Sequence, residues 1–237
     1  MDVGRQTHAT TIGRWLMLKH TADRVLSSVG VVVISPLLLL IAAAILVDTG
    51  RPVFFLQERA GLLGRPFRVI KFRTMIQGAD LVSFGKIVGE DSQLITRTGG
   101  FLRHWSLDEL PELLNVVRGE TSLVGPRPTY VYQTKSYSPE QRKRLLMKPG
   151  ITGWAQVNGR NSLDWSHRIC LDVWYIEHWS LWLDLRILAR TIGVVIHPSG
   201  IYGETSRRDS IVDGNRAPAT PGTGTDGRHE REDYREH

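Results

Sequence analysis

A run of 23 residues without a charge, VLSSVGVVVISPLLLLIAAAILV at positions 25–47, constrains this chain more than any other stretch. As an α-helix it extends about 34 Å, enough to cross the hydrocarbon core of a bilayer. Its midpoint, however, carries Ser35-Pro36. Pro36 has no N–H for the carbonyl of Val32, and its ring collides with that turn, so a kink or break is expected there. The Ser35 hydroxyl can bond a carbonyl one turn back, widening the bend and satisfying a polar group in lipid. Each half then covers about half of the hydrocarbon thickness. Arg5, Arg14, Lys19 and Arg24 precede the run, and Arg51, Arg59, Arg65, Arg68, Lys71 and Arg73 follow it against a single anion, Glu58. Positive residues mark the cytoplasmic side of a membrane. With both flanks basic, a re-entrant dip fits better than a kinked span. A signal peptide cleaved near Ala42-Ala43-Ala44 and a buried core helix are the other readings, and the long basic leader and mid-run proline oppose the former.

The remainder is long enough for one substantial domain, and 41% apolar content can fill a core. A net charge of +6 favours anionic partners such as phosphorylated ligands, acidic headgroups or nucleic acid. One cysteine, Cys170, excludes an internal disulfide and a multi-cysteine zinc site, and reads as a small core residue. Residues 204–237 mix charges with Gly, Pro, Thr and Ser and predict a disordered tail. The organisation expected is therefore a membrane anchor over 1–50, a catalytic domain over 51–203 and that tail.

Within the domain, 53–59 and 66–75 alternate around Gly61-Leu-Leu-Gly64 and predict a hairpin. Short helices are expected over 98–104 and 111–117, and longer ones over 164–178 and 181–196, the last capped by Ser180. Lys148-Pro149-Gly150 has the chemistry of a type II turn. Trp174, Trp179 and Trp182 suit either a headgroup interface or a packed core. The fold class is α+β, mainly helical, with a re-entrant N-terminal membrane helix broken at Ser35-Pro36, a small β-hairpin and amphipathic interfacial helices.

The densest chemistry lies in 103–128. Asp108 and Glu109 precede Leu110-Pro111, and proline favours the first turn of a helix, whose free N–H groups attract anions. Ser106-x-x-Glu109 also fits a plain capping box, which Pro111 weakens by falling inside the first turns. Arg103, the stiff Gly125-Pro126-Arg127-Pro128 loop, and Lys71 and Arg73 at the hairpin's end surround the pair with cations. Arginine forks match phosphate oxygens and lysine supplies a point charge, so the grouping suggests phosphoryl transfer.

KFRTM (71–75), SLDELPELLNVVRGETSLVGPRP (106–128) and KPGITGWAQVNGR (148–160) closely resemble the bacterial sugar transferases known as monotopic phosphoglycosyl transferases, in order from about residue 14 to 200. The resemblance implies transfer of a sugar-1-phosphate from a UDP-sugar to undecaprenyl phosphate, releasing UMP, as a membrane step of glycoconjugate assembly. It implies an aspartyl-phosphosugar intermediate on Asp108, Glu109 as its catalytic partner, Mg²⁺ at Asp108, and phosphate contacts from Arg127, Arg103 and Lys71, with Arg73 beside them. Ser35-Pro36 would break the membrane helix at the cytoplasmic face of the inner membrane, among membrane lipids. Apart from the resemblance, Asn158, Gly159 and Arg160, which follow the KPGITGW turn, are expected to shape the donor site, and the chain would be the family's minimal catalytic unit, with no multi-span N-terminal domain. Two other readings compete. A nucleic-acid module would stack bases on Phe54, Phe55, Phe67 and Phe72, and leaves the acidic pair unexplained; a membrane-anchored scaffold without catalysis leaves it unused.

Overall fold

α1 (Val3–Thr49) is one helix of 47 residues that runs on through Pro36. The computed structural model describes residues 3–79, 92–159 and 162–196, with side chains from Gly13 onward. The interruption expected at Ser35-Pro36 is absent from the helix, and the reason is local. Pro36 removes the amide that would bond the Val32 carbonyl, and the Ser35 hydroxyl donates to that same carbonyl at 2.8 Å. The orphaned acceptor is satisfied within one turn.

α1 does not stand apart from the domain. Lys19, Asp23 and Ser27, then Ile41 and Ile45, are buried at helical spacing and form one stripe along it. Between them, the space beside Gly30 opens onto Leu113. Lys19 Nζ donates to Asp184 at 2.7 Å and faces Asp23 at 3.6 Å, while the Ser122 hydroxyl donates to Asp23. At the other end Ile41 and Ile45 join Phe72 and Leu102 in a core cluster. The opposite face, including Val32, Val33, Leu39, Leu40 and Val47, is exposed.

β1 (Phe54–Ala60) and β2 (Pro66–Phe72) form the expected antiparallel hairpin, with Phe55 opposite Lys71 and Arg59 opposite Phe67. The pleat sends Phe55, Gln57, Arg59, Val69 and Lys71 to one face and Phe54, Ile70 and Phe72 to the other. Phe72 is buried and stacks on Phe54, so it has no open ring for a base. Asn115 closes the free edge of β2: its Oδ1 accepts from Ile70 N at 3.0 Å and its Nδ2 donates to the Arg68 carbonyl at 2.7 Å.

α2 (Arg97–His104), capped by the Thr96 hydroxyl, leads into a 3-10 turn (Leu107–Glu112) and α3 (Leu113–Arg118). β3 (Ser122–Val124) pairs in parallel with β4 (Gly150–Thr152). A further 3-10 turn (Val131–Ser136), α4 (Pro139–Arg142) and the turn Lys143–Leu146 lie between those strands, and α5 (Trp154–Val157) follows them. Lys148-Pro149-Gly150 is not a type II turn, because Gly150 lacks the positive φ that such a turn needs. It is glycine for a different reason: a Cβ there would lie 2.0 Å from the Gly125 nitrogen across the β3–β4 pair.

α6 (Trp165–Glu177) begins at Asp164, whose carboxylate accepts from His167 N at 2.8 Å, and α7 (Leu181–Ile196) begins at Ser180 as expected. Their shared core holds Val124, Met147, Tyr175, Leu183 and Ile187. Cys170, expected in the core, is exposed, because α6 turns Ile169, Val173 and Tyr175 inward instead. The tryptophans divide. Trp179 packs against the core and donates to Asp184 at 3.1 Å, whereas Trp182 is exposed. The predicted tail, 204–237, lies outside the described residues.

Candidate active site

The acidic pair is displayed by an amphipathic 3-10 helix two turns long. Leu107 and Leu110 pack into the cluster of Ile41, Ile45, Phe72 and Leu102. A 3-10 helix repeats every three residues, so that anchored edge leaves Asp108 and Glu109 on the remaining sides. The chain enters the turn through Ser106, held at φ 55° and ψ 24° in the left-handed region. A non-glycine residue held there costs free energy, and the capping box is not formed, since the Ser106 side chain makes no cap bond.

Two cations converge on Glu109. Lys71 Nζ lies 2.6 Å and Arg127 Nη2 2.8 Å from the same Oε1. Lys71 also reaches Glu112 at 3.1 Å. The Arg127 loop is fixed from both sides. Ala60 N donates to the Thr129 carbonyl at 2.8 Å, Gly150 N to the Pro126 carbonyl at 2.9 Å, and Arg144 Nη2 to the Arg127 carbonyl at 3.0 Å. Arg144 is itself held by the buried carboxylate of Asp172. Asp108 stands apart: it makes no ion pair among the described residues.

These surroundings drive the adjacent carboxyls in opposite directions. Burial alone would raise Glu109, but Arg127 and Lys71 hold it well below the usual carboxylate range. Asp108 is pushed up to about 6 by burial and by the charge of Glu109, against the pull of Lys71, Arg103 and Arg127. Burial alone would lower Lys71, but Glu109 and Glu112 keep it firmly charged. One carboxylate is therefore held as an anion, while its neighbour takes up a proton closer to neutral pH.

Of the residues expected in the site, Asp108, Glu109, Lys71 and Arg127 are assembled, and Arg103 acts on Asp108 while its Nε donates to Thr74 at 2.9 Å. Arg73 is turned away, bonding the carbonyls of Thr49 and Gly50 at the end of α1. Asn158 caps α5 by donating to the Trp154 carbonyl at 2.7 Å and accepts from Arg190, outside this cluster. Arg160 lies outside the described residues. Sequence reasoning passed over Glu112, although a third acid follows Pro111 directly, and Arg59, which the pleat places on the face of Lys71. Among the described residues no group of three or more His, Cys, Asp or Glu side chains gathers as for a metal.

The bacterial sugar transferase family matches residues 14–198. The chain is similar to the uncharacterized sugar transferase EpsL of Bacillus subtilis (strain 168), 47% identical over 167 residues, which is 70% of this chain and 81% of that one. It is also similar to the UDP-glucose:undecaprenyl-phosphate glucose-1-phosphate transferase of Caulobacter vibrioides, 41% identical over 195 residues, 78% of this chain and 72% of the relative. The undecaprenyl-phosphate galactose phosphotransferase of Salmonella typhimurium is 37% identical over 199 residues, 78% of this chain but 42% of the relative. Relatives from Haemophilus influenzae and Erwinia amylovora are likewise spanned over 42% of their length. By a family match that covers most of its length, the chain belongs to the bacterial sugar transferases.

Proposed function

We propose that this chain transfers a sugar-1-phosphate from a UDP-sugar to undecaprenyl phosphate through a covalent phosphosugar on Asp108. The observation that carries the reading is the contrast at the acidic pair. Glu109 is spent on Lys71 and Arg127, while Asp108, pushed up to about 6, faces the same cations without pairing to one. At pH 7 it is mostly ionised and available to attack.

In the first half-reaction an Asp108 oxygen bonds to the sugar-bearing phosphorus as the bond from that phosphorus to the bridging oxygen breaks. UMP leaves with the bridging oxygen. In the second, an oxygen of undecaprenyl phosphate attacks the same phosphorus and the bond to Asp108 breaks, giving the polyprenyl-diphosphate sugar. Lys71, Arg103 and Arg127 offset the repulsion between a carboxylate and a diphosphate and stabilise the charge that moves to UMP. A Mg²⁺ held by Asp108 with the donor phosphates would add to that screening. Glu109 keeps Lys71 and Arg127 aligned, because both donate to the same oxygen.

The reading places the chain at the cytoplasmic face of the inner membrane, and a re-entrant dip would require α1, continuous through Pro36 here, to bend at Ser35-Pro36 in the bilayer. Its support is that the stripe of α1 rests on one domain from Lys19 to Ile45 while the apolar remainder is exposed. Two ends bound to one body favour one side of the membrane over a crossing. Relatives are named for glucose and for galactose transfer, so UDP-hexoses are the first donors to assay.

The test is UMP release from a panel of UDP-sugars with Mg²⁺ and undecaprenyl phosphate in detergent. Release is expected to vanish in Asp108→Asn and with EDTA, and donor alone should leave a phosphosugar mass on the peptide carrying Asp108. UMP formation that survives Asp108→Asn would overturn the mechanism. For the membrane claim, single cysteines at positions 14 and 51 in a Cys170→Ser background should label from the same side, and labelling from opposite sides would refute the dip.

A further inference from the structure

We infer that Thr74 is a positioning residue of this site: its hydroxyl fixes the Arg103 guanidinium by one edge and leaves the forked end for the phosphate group that Asp108 attacks. The inference rests on the transferase reading and extends it to a residue that touches no reacting atom. Arg103 Nε donates to the Thr74 hydroxyl at 2.9 Å, and among the described residues this is the side chain's one hydrogen bond. Arg103 enters no ion pair there either, although its charge reaches Asp108 and favours the ionised carboxylate. A guanidinium has five N–H donors, so the four on its two terminal nitrogens stay open to a ligand. They form the planar fork that matches two oxygens of a phosphate.

Thr74 is built to hold a direction. It is buried, and both its own carbonyl and the residue before it are held. The carbonyl accepts from Thr96 N at 3.0 Å. Arg73 N donates to the Val53 carbonyl at 2.9 Å, and the Arg73 side chain bonds the Thr49 and Gly50 carbonyls. The first turn of α2 lies directly on Thr74, since a Cβ on Gly99 would be 2.1 Å from the Thr74 carbonyl oxygen. Gly99 and Arg103 are four residues apart, so one face of α2 meets the threonine at its carbonyl and again at its hydroxyl. A plain structural bond would serve to tie α2 to the strand. That tie already exists through Thr96 and Gly99, and what the hydroxyl adds is the orientation of one cation. The need for it is local. Arg103 stands in the last turn of α2, where the carbonyls of a helix end attract a cation, and a free arginine chain has many rotamers. Thr74 is branched at Cβ and therefore stiff, so its oxygen sits at a defined place.

The experiment is a double-mutant cycle on the full-length protein in detergent, read as kcat/KM for the UDP-sugar and, separately, as binding of inorganic pyrophosphate. Thr74→Val keeps the shape and removes the acceptor; it should lower kcat/KM about tenfold, the scale of one hydrogen bond to a charged group. Thr74→Ser, which keeps the hydroxyl, should retain most of the parent value. In an Arg103→Met background Thr74→Val should cost less than about twofold, because the group it orients is gone. Pyrophosphate binding should follow the same pattern. Thr74→Ala runs through the same cycle, so that the outcome does not hang on the valine variant folding. A loss of equal size in both backgrounds, a Thr74→Val protein equal to the parent, or a Thr74→Ser protein as impaired as Thr74→Val would overturn the assignment, since a merely structural bond acts without regard to Arg103. A parent that releases no UMP from any UDP-sugar refutes the transferase reading instead, and the pyrophosphate cycle then decides the role of Thr74 by itself.

Discussion

Removing the proposed nucleophile should make the protein more stable, not less. Asp108 carries its proton up to about 6 in the folded chain against an ordinary value of 3.8. Each unit is about 1.4 kcal/mol, so ionised Asp108 works against the fold by about 3 kcal/mol at most. Screening of a partly exposed carboxylate reduces this to about 1–2 kcal/mol. The sign follows from linkage. A folded-state value above the unfolded one means that the native state holds this proton more tightly, so its contribution is present below pH 3.8 and lost as pH rises through about 6. Asp108→Asn abolishes that loss. In thermal melts the variant should match the parent near pH 4 and exceed it at pH 7 by about 2–8 °C, given about 2–4 °C per kcal/mol at this chain length. A variant less stable at pH 7, or one offset equally at both pH values, would refute the argument that burial and Glu109 hold Asp108 in a costly state.

Glu109→Gln should behave in the opposite way. Its folded value is depressed, so its stabilisation is present above pH 4.5 and lost on acidification, and melts at pH 7 should show a loss of about 2–4 kcal/mol as Lys71 and Arg127 lose their anionic partner. Arg144→Met should cost about 3–5 kcal/mol by stranding buried Asp172, while Arg144→Met with Asp172→Leu recovers most of that in denaturant unfolding. The double variant should still lose donor turnover, because the Arg127 carbonyl has lost its clamp. Gly125→Ala should block folding, since its Cβ would meet the Lys148 carbonyl at 2.4 Å. Gly100→Ala in α2, with nothing nearer than 4.0 Å, should gain about 0.5–1 kcal/mol in the same unfolding assay.

Legibility followed the range of the forces involved. The hairpin, α6 and α7 could be read because alternation, helical spacing and capping residues act within a few positions. The reactive pair could be read for the same reason, since Asp108, Glu109 and Pro111 form one turn. Arg73 misled because it stands two residues beyond Lys71, the spacing of a shared strand face. β2 ends at Phe72, and the next side chain serves the open carbonyls at the end of α1 instead. Asn158 misled similarly, as a helix cap in a stretch otherwise rich in function. Arg144 was invisible because its partners, Arg127 and Asp172, come from two distant segments. At Ser35-Pro36 the hydroxyl bond to a carbonyl one turn back formed as expected, and the helix continues where a break was one of the expected outcomes.

The long stripe on α1 also sets an order of events during synthesis. The helix leaves the ribosome before Asp184, Ser122 and Phe72 exist, and Lys19 waits 165 positions for its acceptor. In that interval Lys19 and Asp23, one turn apart, can neutralise each other. The apolar segment is thus complete before the surfaces that cover its buried stripe have been made.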